Sequence, residues 1–186
     1  YSRITDEAMV NLAGMEQLAK LNLRDTAITD EGLQHIRGLR NLRELELQGT
    51  GITDRGMEYL KDLTQLRKLN LLGTAISDEG LAFLSGLTKL QELNIYRTSM
   101  TNLGLEALHN AKDLHDLDLR YTRVTSAGLN ALQSALPNCR IQLQETTVVS
   151  VGRIAAAEFI ESGKGTLAEW IRAIGGTAVT SGDRLL

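Results

Sequence analysis

The stretch "LNLRDTAITDEGL", Leu21 to Leu33, is written again as "LELQGTGITDRGM" from Leu45 and "LNLLGTAISDEGL" from Leu69. It returns as "LNIYRTSMTNLGL" from Leu93 and "LDLRYTRVTSAGL" from Leu117, always after 24 residues. A fixed period of this length marks a stacked array. Each repeat is one small element that cannot bury its apolar face alone, so neighbours must do it. The letters that stay fixed specify the fold. The letters that change are where function has to be sought.

Counted from Leu18, Leu42, Leu66, Leu90 and Leu114, the first six positions read L-x-x-L-x-L, with Ile95 as the one variant. Alternation at positions four and six predicts a strand with those side chains turned inward. Position nine is Thr26, Thr50, Thr74, Thr98 and Thr122. A hydroxyl both donates and accepts, so this row is expected to satisfy backbone groups where each strand turns away. Position eleven is apolar: Ile28, Ile52, Ile76, Met100, Val124. Position thirteen is Asp30, Asp54, Asp78, Asn102 or Ser126, all good N-caps, although the preceding Thr29, Thr53, Ser77, Thr101 or Thr125 can also cap. Leu33, Ile36 and Leu39 then recur at threes, as do Leu81, Leu84 and Leu87, which predicts a short helix with one buried stripe. Gly38, Gly86 and Asn110 at position twenty-one suit a left-handed cap that ends it.

Each repeat is therefore a strand, a turn and a short helix around a shared leucine core. Parallel strands sit about 4.8 Å apart, whereas helices with side chains need roughly 10 Å. The helical side is longer, so the stack is expected to curve with its strands inside.

The pattern resembles the leucine-rich-repeat family in its helix-containing, 24-residue bacterial form, over roughly Ile4 to Val148. Ribonuclease inhibitor and F-box-type ubiquitin-ligase receptors have similar repeats, with asparagine or cysteine where this chain has threonine. The resemblance implies an α/β fold: a right-handed leucine-rich-repeat solenoid with a concave parallel sheet and convex short helices. It also implies protein–protein recognition without catalysis.

Residues 1–149 are expected to form the solenoid: a partial first unit from Tyr1, five full repeats, and a degenerate sixth strand in which Asn138 stands where a leucine belongs. After Val149 the register fails. "VGRIAAAEFIESG" and "TLAEWIRAIGG" read as helices, the second with a Thr166–Glu169 capping box. Residues 150–186 are expected to be a C-terminal helical cap over the last strand, or a linker to a second array.

The chain has 186 residues, 42% hydrophobic and 23% charged, which is ample for a core. A net charge of −3 gives no global reason to bind nucleic acid or an anionic membrane. No apolar run has the length of a membrane span. Cys139 is the single cysteine, so no intramolecular disulfide forms, and it reads as a small buried residue. The absence of a visible signal peptide leans the expected location toward the cytoplasm, with the chain starting inside a repeat. A monomer is expected.

No constellation supports nucleophilic or acid–base catalysis, and no cofactor is implied. His115 and Asp116 are adjacent in a strand and point to opposite faces, against a metal pair. Glu92, Asn94, Asp116 and Asp118 carry oxygen ligands suited to calcium, but read more simply as a solvated sheet face. "SGKGT" around Lys164 lacks the phosphate-loop spacing. Position three alternates in sign along most of its row (Lys20, Glu44, Lys68, Glu92, Asp116, Arg140), a self-neutralising ladder.

Positions seven, eight and ten behave differently. The early repeats offer Gln48, Gly49, Gly51, Leu72, Gly73 and Ala75. The fourth and fifth offer Tyr96, Arg97, Arg120, Tyr121 and Arg123. Tyrosine and arginine are enriched at binding hot spots, so a protein partner is expected at these five residues. The other readings are a substrate-recognition part of an adaptor or effector, and a structural segment of a larger array.

Overall fold

The computed structural model describes residues 4–143 and, further on, two short strands. The chain divides into two compact bodies, Tyr1–Glu145 and Thr146–Leu186. In the first, strands β1 (Lys20–Asn22), β2 (Glu44–Glu46), β3 (Lys68–Asn70), β4 (Glu92–Asn94), β5 (Asp116–Asp118) and β6 (Arg140–Gln142) form one open sheet in sequence order. All five pairings are parallel and shifted by one full repeat: Leu21 faces Leu45, which faces Leu69, then Leu93, Leu117 and Ile141. Leu45, Leu69, Leu93 and Leu117 are buried, whereas Leu21 and Ile141 on the two edge strands are only partly covered. The imperfect sixth strand pairs in register all the same.

Opposite the sheet run α1 (Asp6–Met9), α2 (Asp30–Leu33), α3 (Asp54–Met57), α4 (Asp78–Ala82) and α5 (Ser126–Ala135). α1, α2 and α3 each pass directly into a 3-10 turn, and the fourth repeat carries a 3-10 helix, Gly104–Leu108, in place of an α-helix. Leu33, Ile36, Leu39, Leu81, Leu84 and Leu87 are buried, as the spacing of threes predicts. Parallel strands joined by helices on one face cross over right-handedly. The wider helical layer leaves the sheet as the inner, concave face.

The threonine row does what its chemistry suggests. Each hydroxyl donates to the carbonyl three residues back: Thr26 to Leu23, Thr50 to Leu47, Thr74 to Leu71, Thr98 to Ile95 and Thr122 to Leu119, at 2.6–2.7 Å. The capping question is settled in favour of position twelve. Thr29, Thr53 and Ser77 are the N-caps, each accepting from the N–H two residues on.

This releases position thirteen for another task. The Asp54 carboxylate accepts from Ser77 N–H at 2.7 Å, from the Ser77 hydroxyl at 2.6 Å and from Gly80 N–H at 3.1 Å, all in the next repeat. Asp6, Asp30 and Asp78 reach Thr29, Thr53 and Thr101 in the same way. The aspartates staple repeat to repeat, through charge-assisted bonds stronger than neutral ones. The glycine at position fifteen is explained by the same contact. A Cβ on Gly56, Gly80 or Gly104 would collide with the carboxylate of the preceding repeat.

The left-handed cap expected at position twenty-one is absent from the full repeats. Neither Gly38, Gly86 nor Asn110 has a positive φ. The helices instead unwind through tight turns, with Leu39 N–H bonding Ile36 O and Leu87 N–H bonding Leu84 O, both at 2.9 Å. These bonds occupy the terminal carbonyls without a left-handed residue.

Cys139 is buried, and burial, followed by the nearby Asp116 carboxylate, pushes its thiol up to about 11. The expected C-terminal helices in residues 150–186 lie outside the described residues. In the second body, β7 (Thr180–Ser181) pairs antiparallel with β8 (Arg184–Leu185).

Candidate interaction surface

The left-handed conformation falls at position eight, where each strand ends. Asp25 has φ 54°, Gly49 68°, Gly73 69°, Arg97 56° and Tyr121 59°. Two sets of bonds hold the backbone there. The position-five side chain accepts the N–H of position seven: Asn22 from Arg24, Asn70 from Leu72, Asn94 from Tyr96 and Asp118 from Arg120, at 3.0–3.1 Å. The N–H of position eight then donates to the next strand: Asp25 to Gln48, Gly49 to Leu72, Gly73 to Tyr96 and Arg97 to Arg120. Glycine meets this geometry freely. For other residues a left-handed conformation costs roughly 1–2 kcal/mol.

Arg97 and Tyr121 carry that strain with their side chains in solvent; Tyr121 is 52% exposed. The Tyr96 and Tyr121 rings lie 4.9 Å apart, tilted by 59°, a favourable aromatic arrangement. The Arg120 guanidinium sits 5.3 Å from the centre of the Tyr96 ring. The same guanidinium grips Asp118 with two bonds, at 2.9 and 2.6 Å. Asp118 is buried, and its hydrogen bond and charge raise Arg120 above the ordinary arginine range.

Three of the five predicted residues, Tyr96, Arg120 and Tyr121, thus form one contact cluster. Arg97 joins it through its backbone, by its N–H bond to Arg120 O. Arg123 is exposed at the rim, tied to the previous repeat by its N–H bond to Met100 O at 2.8 Å. Asp118, Asn94 and the rest of position five went unrecognised as the residues that place the others. The signal was present: position five is Asn or Asp in four of the five repeats, Glu46 being the departure.

The ladder at position three is paired, Lys20–Glu44 at 2.7 Å, Lys68–Glu92 at 3.0 Å, and Arg140 with Asp116. Glu92 and Asp116 face each other directly, as the sequence indicates. Between these rows lies a shallow groove of about 440 Å³ floored by Asn70, Asn94 and Leu93. Among the described residues no group of His, Cys, Asp and Glu has metal-binding geometry. No helix there is long and apolar enough to cross a membrane.

A family model described as Leucine Rich repeat matches residues 18–36, 38–61 and 63–85. Comparison with curated protein sequences finds no match. Solved structures with the same architecture include an internalin (inlF) from Listeria monocytogenes, with 26% identity and a TM-score of 0.66, over 78% of this chain and 39% of that one. Internalin C2 (inlC2) of the same bacterium shows 24% identity and a TM-score of 0.58, over 80% and 73% of the two chains. The plant peptide hormone receptor RGFR1, in complex with RGF2, shows 18% identity and a TM-score of 0.50, over 76% and 22%.

Proposed function

We propose that this chain is a leucine-rich-repeat protein of the bacterial form and that it binds a protein partner on its concave face at the fourth and fifth repeats. Tyr96, Arg97, Arg120, Tyr121 and Arg123 are the contact residues. One observation carries the reading. At position eight the second and third repeats place glycine, the residue the left-handed backbone favours, whereas the next two place an exposed arginine and an exposed tyrosine. Strain held by bulky side chains that face solvent contributes nothing to folding. Strained positions of this kind cluster at binding sites. Arg120, locked by Asp118 against Tyr96, presents its ring partner in a fixed orientation, which lowers the entropy lost on binding.

The chain spans 39% of the length of the inlF chain. We read it as the recognition part of a larger protein whose remaining activity resides elsewhere, rather than as an enzyme.

The test is a pull-down from a lysate of the organism that makes the protein, then calorimetry with the captured partner. The variant is Arg97→Gly combined with Tyr121→Gly. Both changes relieve the backbone, so the melting temperature should stay level or rise. Binding should weaken by more than about 2 kcal/mol, the usual threshold of a hot spot. Undiminished affinity would move the search to the convex helices.

A further inference from the structure

We infer that the segment docking on this surface is an acidic, extended peptide stretch with an aromatic residue among its carboxylates. The inference rests on the reading above and adds the partner's chemistry.

The charges of the concave face cancel almost everywhere. Lys20 is paired with Glu44, Lys68 with Glu92, Arg140 with Asp116, Arg24 with Asp25, and Arg120 with Asp118. Arg97 and Arg123 are exposed, and neither forms an ion pair among the described residues. They flank Tyr121: Arg97 occupies the same position one strand away, and Arg123 lies two residues further along the chain. Neighbouring parallel strands lie about 4.8 Å apart, and an extended chain advances about 3.3 Å per residue. Carboxylates one or two residues apart on an extended segment can therefore reach arginines on neighbouring repeats, and each guanidinium can donate a bidentate fork to one of them. Between them the exposed Tyr121 ring already stands tilted on Tyr96, and a third ring can extend that arrangement.

The neighbours of the patch argue against a denser polyanion. On β4 and β5, the strands that lead into the patch, Lys68, Arg120 and Arg140 are already held by Glu92, Asp118 and Asp116, so Arg97 and Arg123 are the cations left for a run of phosphates or sulfates among the described residues. A short acidic peptide matches two cations without so large an excess of negative charge.

The experiment uses the whole chain and fluorescein-labelled peptides, read by anisotropy at low salt. The probes are GEEYEEG, its amide counterpart GQQYQQG, the ring-free GEEAEEG, and a heparin-derived oligosaccharide. GEEYEEG should bind about tenfold tighter than GQQYQQG, as charge-assisted forks replace neutral bonds, and several-fold tighter than GEEAEEG. Added salt should erode the first difference. Arg97→Gln with Arg123→Gln should abolish it with an unchanged melting temperature. Equal binding of the acid and amide peptides, or no saturable binding of GEEYEEG at millimolar concentration, overturns the inference. Preference for the oligosaccharide overturns it too, in favour of an anionic glycan. A captured partner that loses affinity for the Arg97→Gly, Tyr121→Gly protein, yet is not displaced by GEEYEEG, would leave the docking surface standing and remove only its acidic chemistry.

Discussion

The first three repeats and the last two share a backbone but are fastened differently. From Asp6 to Asp78 every repeat is stapled to the next by a carboxylate, with paired bonds of 2.5–2.8 Å. The junction between the fourth and fifth repeats relies on Asn102, whose bonds to Thr125 are 3.0 and 2.9 Å. The direction of one bond is reversed there. A carboxylate receives the hydroxyl proton, whereas the Asn102 amide donates to the hydroxyl oxygen. Thr125 makes no side-chain cap on α5, in contrast to Thr29, Thr53 and Ser77. The same two repeats carry Arg97 and Tyr121 in left-handed backbone and a solvent-facing Leu103, 73% exposed. Weaker stapling coincides with two of the three left-handed residues other than glycine among the described residues, the third being Asp25 of the first repeat. The early repeats are built for stacking; the later ones give up part of that stability for a patterned surface.

The comparison predicts first where the two halves should not differ. Leu69→Ala and Leu117→Ala both empty a buried site in the same leucine row, and each should cost about 2–5 kcal/mol in denaturant melts. A neutral result at either site would mean that the row is not one continuous core. The next effect should separate the halves. Asp54→Ala strands three donors of the next repeat and should cost about 1.5–3 kcal/mol, whereas Asn102→Ala should cost about 1 kcal/mol. Asn102→Asp should recover part of the difference, about 0.5–1 kcal/mol, by freeing Thr125 to cap α5. Equal losses at Asp54 and Asn102 would break the contrast.

The smallest effects should have opposite signs. Tyr121→Gly relieves roughly 1–2 kcal/mol of left-handed strain but adds about 0.5–1 kcal/mol of unfolded-chain entropy. The net should be a gain of about 0.5–1 kcal/mol. Gly73→Ala meets no neighbour within contact distance, so only its φ of 69° matters, and it should lose about 1 kcal/mol. Thermal melts of the two variants side by side measure the sign. If both lose stability, the strain at Tyr121 is compensated by contacts of its ring, and the case for a solvent-facing binding residue weakens.

The repeat, the inward leucines, the buried stripe on each helix and the structural role of the threonines all follow from the sequence alone. Periodicity states them directly: a side chain that recurs every 24 residues in a stacked array meets its own copy, so its environment is itself repeated. The candidate residues were legible for the same reason, as departures from a constant background.

What waited for the tertiary structure was everything that crosses from one repeat to another or turns on φ. The aspartate at position thirteen has the chemistry of an N-cap and is displaced from that role by the hydroxyl before it; only stacking reveals the next repeat's donors within its reach. Glycine is favoured wherever φ is positive, so Gly38 and Gly86 were equally good candidates for a left-handed turn as Gly49 and Gly73. Hydrogen bonds that their N–H groups donate to the neighbouring strand select the latter pair. The sequence names Arg97, Arg120 and Arg123 as three like cations. The buried carboxylate of Asp118 binds one of them and leaves the other two facing solvent, because an ion pair depends on where side chains meet and not on how they are spelled.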